Sequence, residues 1–153
     1  MKRIIEVMAM VMVILMSLNG LGFAGNRATI TVSATVMARV SQSVVHQVSR
    51  INVTEEDIKR GFIEIPSGTI LQIKTNSRNG YMLYFEGENE LFKEVTVIDK
   101  GRTIVLSSSG GFIHQPNSGG NVEVKDLSYK LLLNENIQPG SYSWPLRVKA
   151  SLL

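Results

Sequence analysis

Ala28-Thr29-Ile30-Thr31-Val32-Ser33-Ala34-Thr35-Val36-Met37-Ala38-Arg39-Val40 carries an apolar side chain at every even position and, Met37 apart, a polar one at every odd position. Successive side chains point to opposite faces of a β-strand, so the stretch reads as a strand with one dry face and one wet face. A helix would scatter the same apolar residues around its barrel. Full burial of Ile30, Val32, Val36 and Val40 at about 1.5 to 3 kcal/mol each would contribute roughly 6 to 12 kcal/mol as an upper bound. Such a strand needs a sheet edge to receive it, in its own domain or in a neighbour's.

Upstream, Lys2 and Arg3 precede an apolar run from Val7 to Met16, and Gly22-Phe23-Ala24 puts small residues at the two positions a signal peptidase reads. The anatomy is that of a secretory signal cleaved after Ala24, with residues 25–153 left as one domain. Ser17, Asn19 and Gly20 interrupt the apolar run before it reaches the roughly 20 residues a membrane-spanning helix needs. No stable membrane span is therefore expected after cleavage.

The net charge is +3, and a departing leader takes Lys2, Arg3 and Glu6 with it. The remaining charges are scattered with no basic run, which argues against a nucleic-acid partner. An exported chain without cysteine has neither a disulfide nor a thiolate metal site, so burial and backbone pairing must stabilise it.

Downstream of Val40, the residues Ser41 to Val53 are apolar without clean alternation and read as an irregular strand or crossover. His46 has no second ligand close in sequence and reads as a surface or packing residue. Asn52-Val53-Thr54 matches a glycosylation sequon, but Thr54 has a more economical use. In Thr54-Glu55-Glu56-Asp57-Ile58-Lys59-Arg60-Gly61 a capping hydroxyl precedes acids, then bases, then glycine, the order that complements a helix dipole and supplies a stop. One or two helical turns are expected there, with the acids serving the dipole rather than a metal.

Short strands follow. Phe62 to Ile65 is expected to end at the turn Pro66-Ser67-Gly68. Thr69 to Thr75 and Tyr81 to Phe85 flank Asn79-Gly80, a pair suited to a tight hairpin. Leu91 to Ile98 and Arg102 to Leu106 flank the turn Asp99-Lys100-Gly101. Ser107 to Asn121, rich in Ser, Gly and Asn, reads as the longest loop. Leu127, Tyr129, Leu131 and Leu133 share one face of a further strand. After Gln138-Pro139-Gly140, the residues Tyr142, Trp144, Leu146, Val148, Ala150 and Leu152 alternate along a final strand, which at Pro145 should be at a sheet edge or lie beside an imperfect partner. Eight or nine such strands indicate an antiparallel β-sandwich.

No catalytic constellation is visible. The chain has two histidines, no cysteine, no P-loop and no dinucleotide fingerprint, and Ser107-Ser108-Ser109-Gly110-Gly111 lacks the G-x-S-x-G frame. The expectation is a non-enzyme with no cofactor and no metal site.

Several pieces carry a resemblance: Ile30-Thr31-Val32-Ser33-Ala34-Thr35-Val36 as an opening strand, Ile73 to Gly87 as a second hairpin with Gly-Tyr after its turn, and a closing pair. The closing pair is Leu127-Ser128-Tyr129-Lys130-Leu131, then Pro139-Gly140-Ser141-Tyr142 and the Leu146, Val148 alternation. Together they resemble the chaperone–usher pilin subunits and the related spore coat U type secreted proteins. The cysteine usual shortly after the first strand is absent, Arg39 and Val40 standing near its place, so the likeness is to a divergent, cysteine-free relative.

The resemblance implies an incomplete immunoglobulin-like sandwich in a fimbrial or coat subunit. A periplasmic chaperone would lend it the missing strand, and an usher and related subunits would be further partners. Ile30, Val32, Ala34 and Val36 would form the donor face, and Tyr142, Trp144, Leu146 and Val148 the acceptor edge. Self-association, and a place in the periplasm, at the cell surface or in a fimbrium, follow from that resemblance. The other role open to Ala28–Val40 is to close its own sandwich. In a different class stands a self-contained extracytoplasmic binding module, with the Ser107–Asn121 loop and Phe112 contacting a glycan or protein. Amino-terminal sequencing of the exported protein is expected to start at Gly25; a chain starting at Met1 contradicts the cleavage assignment.

Overall fold

A computed structural model describes residues 8, 10–12, 31–88, 91–116 and 122–153. The chain divides into two units, Met1–Thr35 and Val36–Leu153. In the first, Met8, Met10, Val11 and Met12 are helical and exposed. Among the described residues no helix is long and apolar enough to cross a membrane. The expected cleavage site at Ala24 and the donor residue Ile30 lie outside the described residues.

The second unit is all-β apart from one short helix, α1 (Glu55–Arg60). Its strands are β1 (Val40–Gln47), β2 (Arg50–Val53), β3 (Phe62–Thr75), β4 (Tyr81–Gly87), β5 (Phe92–Asp99), β6 (Arg102–Ser107), β7 (Gly110–Gln115), β8 (Val122–Leu133), β9 (Gly140–Ser143) and β10 (Leu146–Ser151). Eight of them join in one antiparallel sheet ordered β1-β3-β8-β5-β6-β7-β4-β10, while β2 pairs with β9. The large sheet curls until its edges, β1 and β10, touch without a backbone ladder between them. The antiparallel all-β architecture expected from the alternation is present, as a single sheet nearly closed into a barrel with an unsealed seam.

Period-2 alternation accounts for the core. Tyr81, Leu83 and Phe85 of β4, Val95 and Val97 of β5, and Leu127, Tyr129, Leu131 and Leu133 of β8 point inward and are buried. Tyr129 and Trp144 meet edge to face with centroids 5.1 Å apart. Both rings lie on Gly68, where an added Cβ would stand 2.8 Å from the Tyr129 ring and 3.0 Å from the Trp144 ring.

Five expectations from the sequence are corrected. Thr31 to Arg39, the described part of the alternating stretch, lies in no strand, and the first strand begins at Val40. Between Thr29 and Val40 there is no Gly, Pro, Asn or Asp to make a tight turn, so the stretch lacks the means to double back onto the strand it leads into. Pro66-Ser67-Gly68 does not end a strand: β3 runs through it with a bulge. Ile65 faces Tyr129 while Thr69 faces Leu127, so four steps along β3 answer two along β8. The excess is even, which leaves Ile63, Ile65, Leu71 and Ile73 on one buried face.

Third, the Asn79-Gly80 turn forms, with Gly80 at φ 83°, but β3 and β4 are not hairpin partners. Both sides of β3 are already taken, by β1 and β8, so β4 lies instead between β7 and β10. Fourth, the region read as the longest loop contains β7, whose register sets Phe112 opposite Tyr84. The final strand is also divided, into β9 and β10, at Trp144-Pro145. Pro145 has no N–H for a ladder, and its carbonyl accepts from Glu88 N–H at 2.8 Å.

The helix forms where its caps were read. Thr54 Oγ1 accepts from Asp57 N–H at 3.2 Å, and Thr54 N–H donates back to Asp57 Oδ2 at 2.9 Å. Gly61, at φ 78°, donates its N–H to the Asp57 carbonyl at 2.8 Å and ends the helix. Hydrogen bonds from the Thr54 side chain and backbone, aided by Arg60, hold the Asp57 carboxyl below the usual carboxylate range. Thr54→Ala is expected to lower stability by about 1 kcal/mol at neutral pH. Because the folded pKa of Asp57 is depressed, its contribution is complete above the unfolded value of 3.8 and fades as pH falls through the folded value. Chemical denaturation across an acid series should show the difference between wild type and Thr54→Ala narrowing toward low pH.

Candidate functional site

The seam is the place where this fold is unfinished. By register, Val40, Gln42 and Val44 of β1 lie opposite Thr75, Ile73 and Leu71, whose side chains are buried, so they share the inward face. Val44 is nevertheless 53% exposed, because among the described residues none covers that face where β1 has no second strand neighbour. A register shift between Val44 and His46 then inserts one residue, and Gln47, opposite buried Thr69, returns to the inward face. The bulge thus aims two glutamines, Gln42 and Gln47, the same way.

Both reach the backbone of β10. Gln42 Nε2 donates to the Val148 carbonyl at 2.9 Å, and Ala150 N–H donates to Gln42 Oε1 at 2.5 Å. Gln47 Nε2 donates to the Leu146 carbonyl at 3.3 Å. Backbone groups of a sheet edge must find partners, and here side-chain amides supply them. On its other side β10 has a full ladder to β4, from Leu146 opposite Gly87 to Ser151 opposite Met82.

At the end where β1 begins and β10 stops, the seam widens into a groove of about 740 Å³ lined by Val40, Ser41, Thr75, Ala150 and Leu152 among others. Asn76 fixes how the chain enters β1. Its Nδ2 donates to the Met37 carbonyl at 3.0 Å, and Arg39 N–H donates to its Oδ1 at 2.6 Å. Thr75 Oγ1 donates to the Arg39 carbonyl at 3.0 Å.

The expected donor face Val32, Ala34 and Val36 is exposed, Val32 at 85% and Val36 at 81%. Of the expected acceptor edge, Leu146 and Val148 lie on β10 with buried side chains and seam-facing carbonyls. Tyr142 is elsewhere, on β9 opposite Ile51, with its hydroxyl donating to the Gln138 carbonyl at 2.7 Å. Trp144 lies between the two strands, buried against Tyr129. Gln42, Gln47 and Asn76 were not singled out by sequence. A glutamine in a strand carries no mark of the ladder it will cap.

A second polar cluster closes the barrel at the end shared with the groove. Lys125 on β8 is 4% exposed, and its Nζ lies 2.9 Å from Asp99 Oδ2, Gln115 Oε1 and Glu123 Oε1. Tyr81 donates its hydroxyl to Glu123 Oε2 at 3.0 Å. Burial, then the Glu123 carboxylate, pushes the Tyr81 phenol far up. Burial also raises the Glu123 carboxyl, but hydrogen bonds from Lys125 and Tyr81 outweigh it and the net is downward. With Lys100 Nζ 3.4 Å from Glu123 Oε1, two lysines balance the two carboxylates, and the cluster links the ends of β4, β5, β7 and β8. His46 is exposed, and among the described residues no group of three His, Cys, Asp or Glu side chains is placed to hold a metal ion.

Comparison with family models, with curated proteins and with solved structures finds no match for this chain.

Lys125→Met leaves Asp99 and Glu123 without their shared cation and is expected to cost about 3 to 5 kcal/mol of stability. The midpoint of urea unfolding measures it, and a shift no larger than that of an exposed lysine variant such as Lys59→Met would contradict this account of the cluster.

Proposed function

We propose that the chain is a secreted, non-enzymatic structural subunit of a surface fibre, a fimbria or pilus, or of a coat, assembling by β-strand complementation. The observation that carries this reading is the open seam, where side chains stand in for a strand on β10 and an inward-facing valine of β1 lies uncovered. An added strand would satisfy the backbone edge and cover the apolar face at once.

On this reading the donor is Ile30, Val32, Ala34 and Val36 of another copy or a related subunit. Two facts support it: Val32 and Val36 are exposed, and the stretch has no Gly, Pro, Asn or Asp with which to turn back into its own seam. The acceptor is the β10 edge at Leu146, Val148 and Ala150. The curled sheet is then an incomplete immunoglobulin-like sandwich, and the chain a divergent, cysteine-free relative of the chaperone–usher pilins and spore coat U type proteins that it resembles. A periplasmic chaperone and an usher are the partners such assembly requires, and the periplasm, cell surface or fimbrium its location.

A second reading, the self-contained binding module, draws on one observation. Tyr84 and Phe112 lie 6.1 Å apart, with Phe112 63% exposed, a small aromatic platform on the sheet's outer face. A wild-type chain that stays monomeric at every concentration and binds polysaccharide would favour it.

Val32→Asp distinguishes donation from self-closure. The residue is exposed in the monomer, so stability should change by no more than about 0.5 kcal/mol. An unpaired carboxylate entering an apolar groove is costly, so assembly should stop. Size-exclusion chromatography with circular dichroism should find a folded monomer; an unfolded or aggregated chain would refute donation.

A further inference from the structure

The interaction across the seam is unusual in kind. A primary amide carries one donor and one acceptor side by side, the same pair that a backbone residue presents to a neighbouring strand. Gln42 uses both, its Nε2 on the Val148 carbonyl and its Oε1 on the Ala150 N–H. These two groups flank Lys149 on the free edge of β10, and a strand added there must take them over. Gln47 repeats half of the arrangement on the Leu146 carbonyl. Two residues of β1 would be spaced wrongly for this without the bulge between Val44 and His46, which brings Gln47 back to the face of Gln42.

We propose that the Val148 carbonyl and the Ala150 N–H are the docking atoms for the Ala28–Val40 strand of a second copy of this chain, and that the Gln42 amide occupies them as a displaceable substitute. This rests on the strand-complementation reading. The amide satisfies the edge in the monomer, which blunts indiscriminate pairing, and it leaves by rotation about its own side-chain bonds without any ladder being broken. Displacement is the step an incoming strand must drive. Gln42 therefore sets how readily the seam accepts a strand: β1 stays on β3 and β10 on β4, and the two edges part to the roughly 9.6 Å that two strand spacings require.

The experiment uses the full chain carrying Val32→Asp, so that its own leader does not compete, with a synthetic peptide of the sequence Ala28 to Val40 as probe. Hydrogen exchange at the Ala150 amide is read first, without peptide. It should be roughly tenfold faster in Gln42→Ala than in the parent, since one net hydrogen bond is worth about that factor; an unchanged rate overturns the proposal. Peptide association, followed by fluorescence of a labelled probe, should be roughly tenfold faster for Gln42→Ala.

Equal association with both proteins overturns the substitution by Gln42 while leaving strand acceptance standing. Association with neither, despite faster exchange at Ala150, overturns strand complementation and this inference with it. Gln42→Glu guards against a folding defect in the alanine variant. Its carboxylate still accepts from the Ala150 N–H but faces the Val148 carbonyl with no donor, so at neutral pH association should be faster than in the parent, by less than in Gln42→Ala. Protonation at acid pH restores a donor and should slow association toward that of the parent, whereas a pH-independent rate would overturn the proposal.

Discussion

A sheet edge is a row of backbone donors and acceptors that cannot be left dry and unpaired, and this molecule is arranged around where its two edges end up. Eight strands curl far enough to bring β1 and β10 together but not to join them. Closing the ladder would have required β1 to present its backbone to β10 along its length. The bulge between Val44 and His46 and the two inward glutamines present side chains instead. The core does not need that last ladder: Leu71, Leu83, Val95, Val97 and Leu131 are fully buried on strands that have neighbours on both sides. Stability and incompleteness are thus located in different strands of the same sheet.

The polar end of the barrel complements this arrangement. A buried lysine with three oxygen partners is a costly feature unless each partner is fixed, and here the partners come from three strands. The cluster ties β5 and β7 to β8 at the level where β3 turns toward β4. Asn76 and Thr75 then tie the approach to β1 to the same end. The leader's last residues leave from a firmly held rim rather than from a frayed one.

What could be read from the residues was whatever depends on local chemistry. Thr54, Asp57 and Gly61 specify a capped helix because every atom needed is within eight residues, and Leu127 to Leu133 specify a half-buried strand by alternation alone. What could not be read depends on who the neighbour is. Ala28 to Val40 alternates as a strand does, yet its described part forms none, since alternation says what a segment would do at an edge and not whether an edge is free. Asn79-Gly80 turns the chain as expected, but whether the strands it joins then pair is settled by the competing ladders of β3 with β1 and β8. Pro66-Ser67-Gly68 has the composition of a turn, and only the surplus of residues against β8 makes it a bulge. Of the candidate site, the edge position of the last strand was legible through Pro145, whereas the glutamines that meet it were not.

Among the described strands, those on either side of the seam are the first and the last to be synthesised, which has a consequence for the order of events during folding. The long ladder of β3 with β8 pairs Ile63 with Leu131, so neither strand is stable until more than half the domain has been delivered. High contact order of this kind slows folding, to roughly milliseconds to seconds for sheet-rich domains. In a chain that emerges amino terminus first, β4 waits longer still: its partner β7 arrives in the middle, but its other partner, β10, arrives at the very end. Until Leu146 to Ser151 has emerged, the sheet's edges are β1 and β4 rather than the β1 and β10 that meet at the seam, and β4 is open to mispairing for that interval.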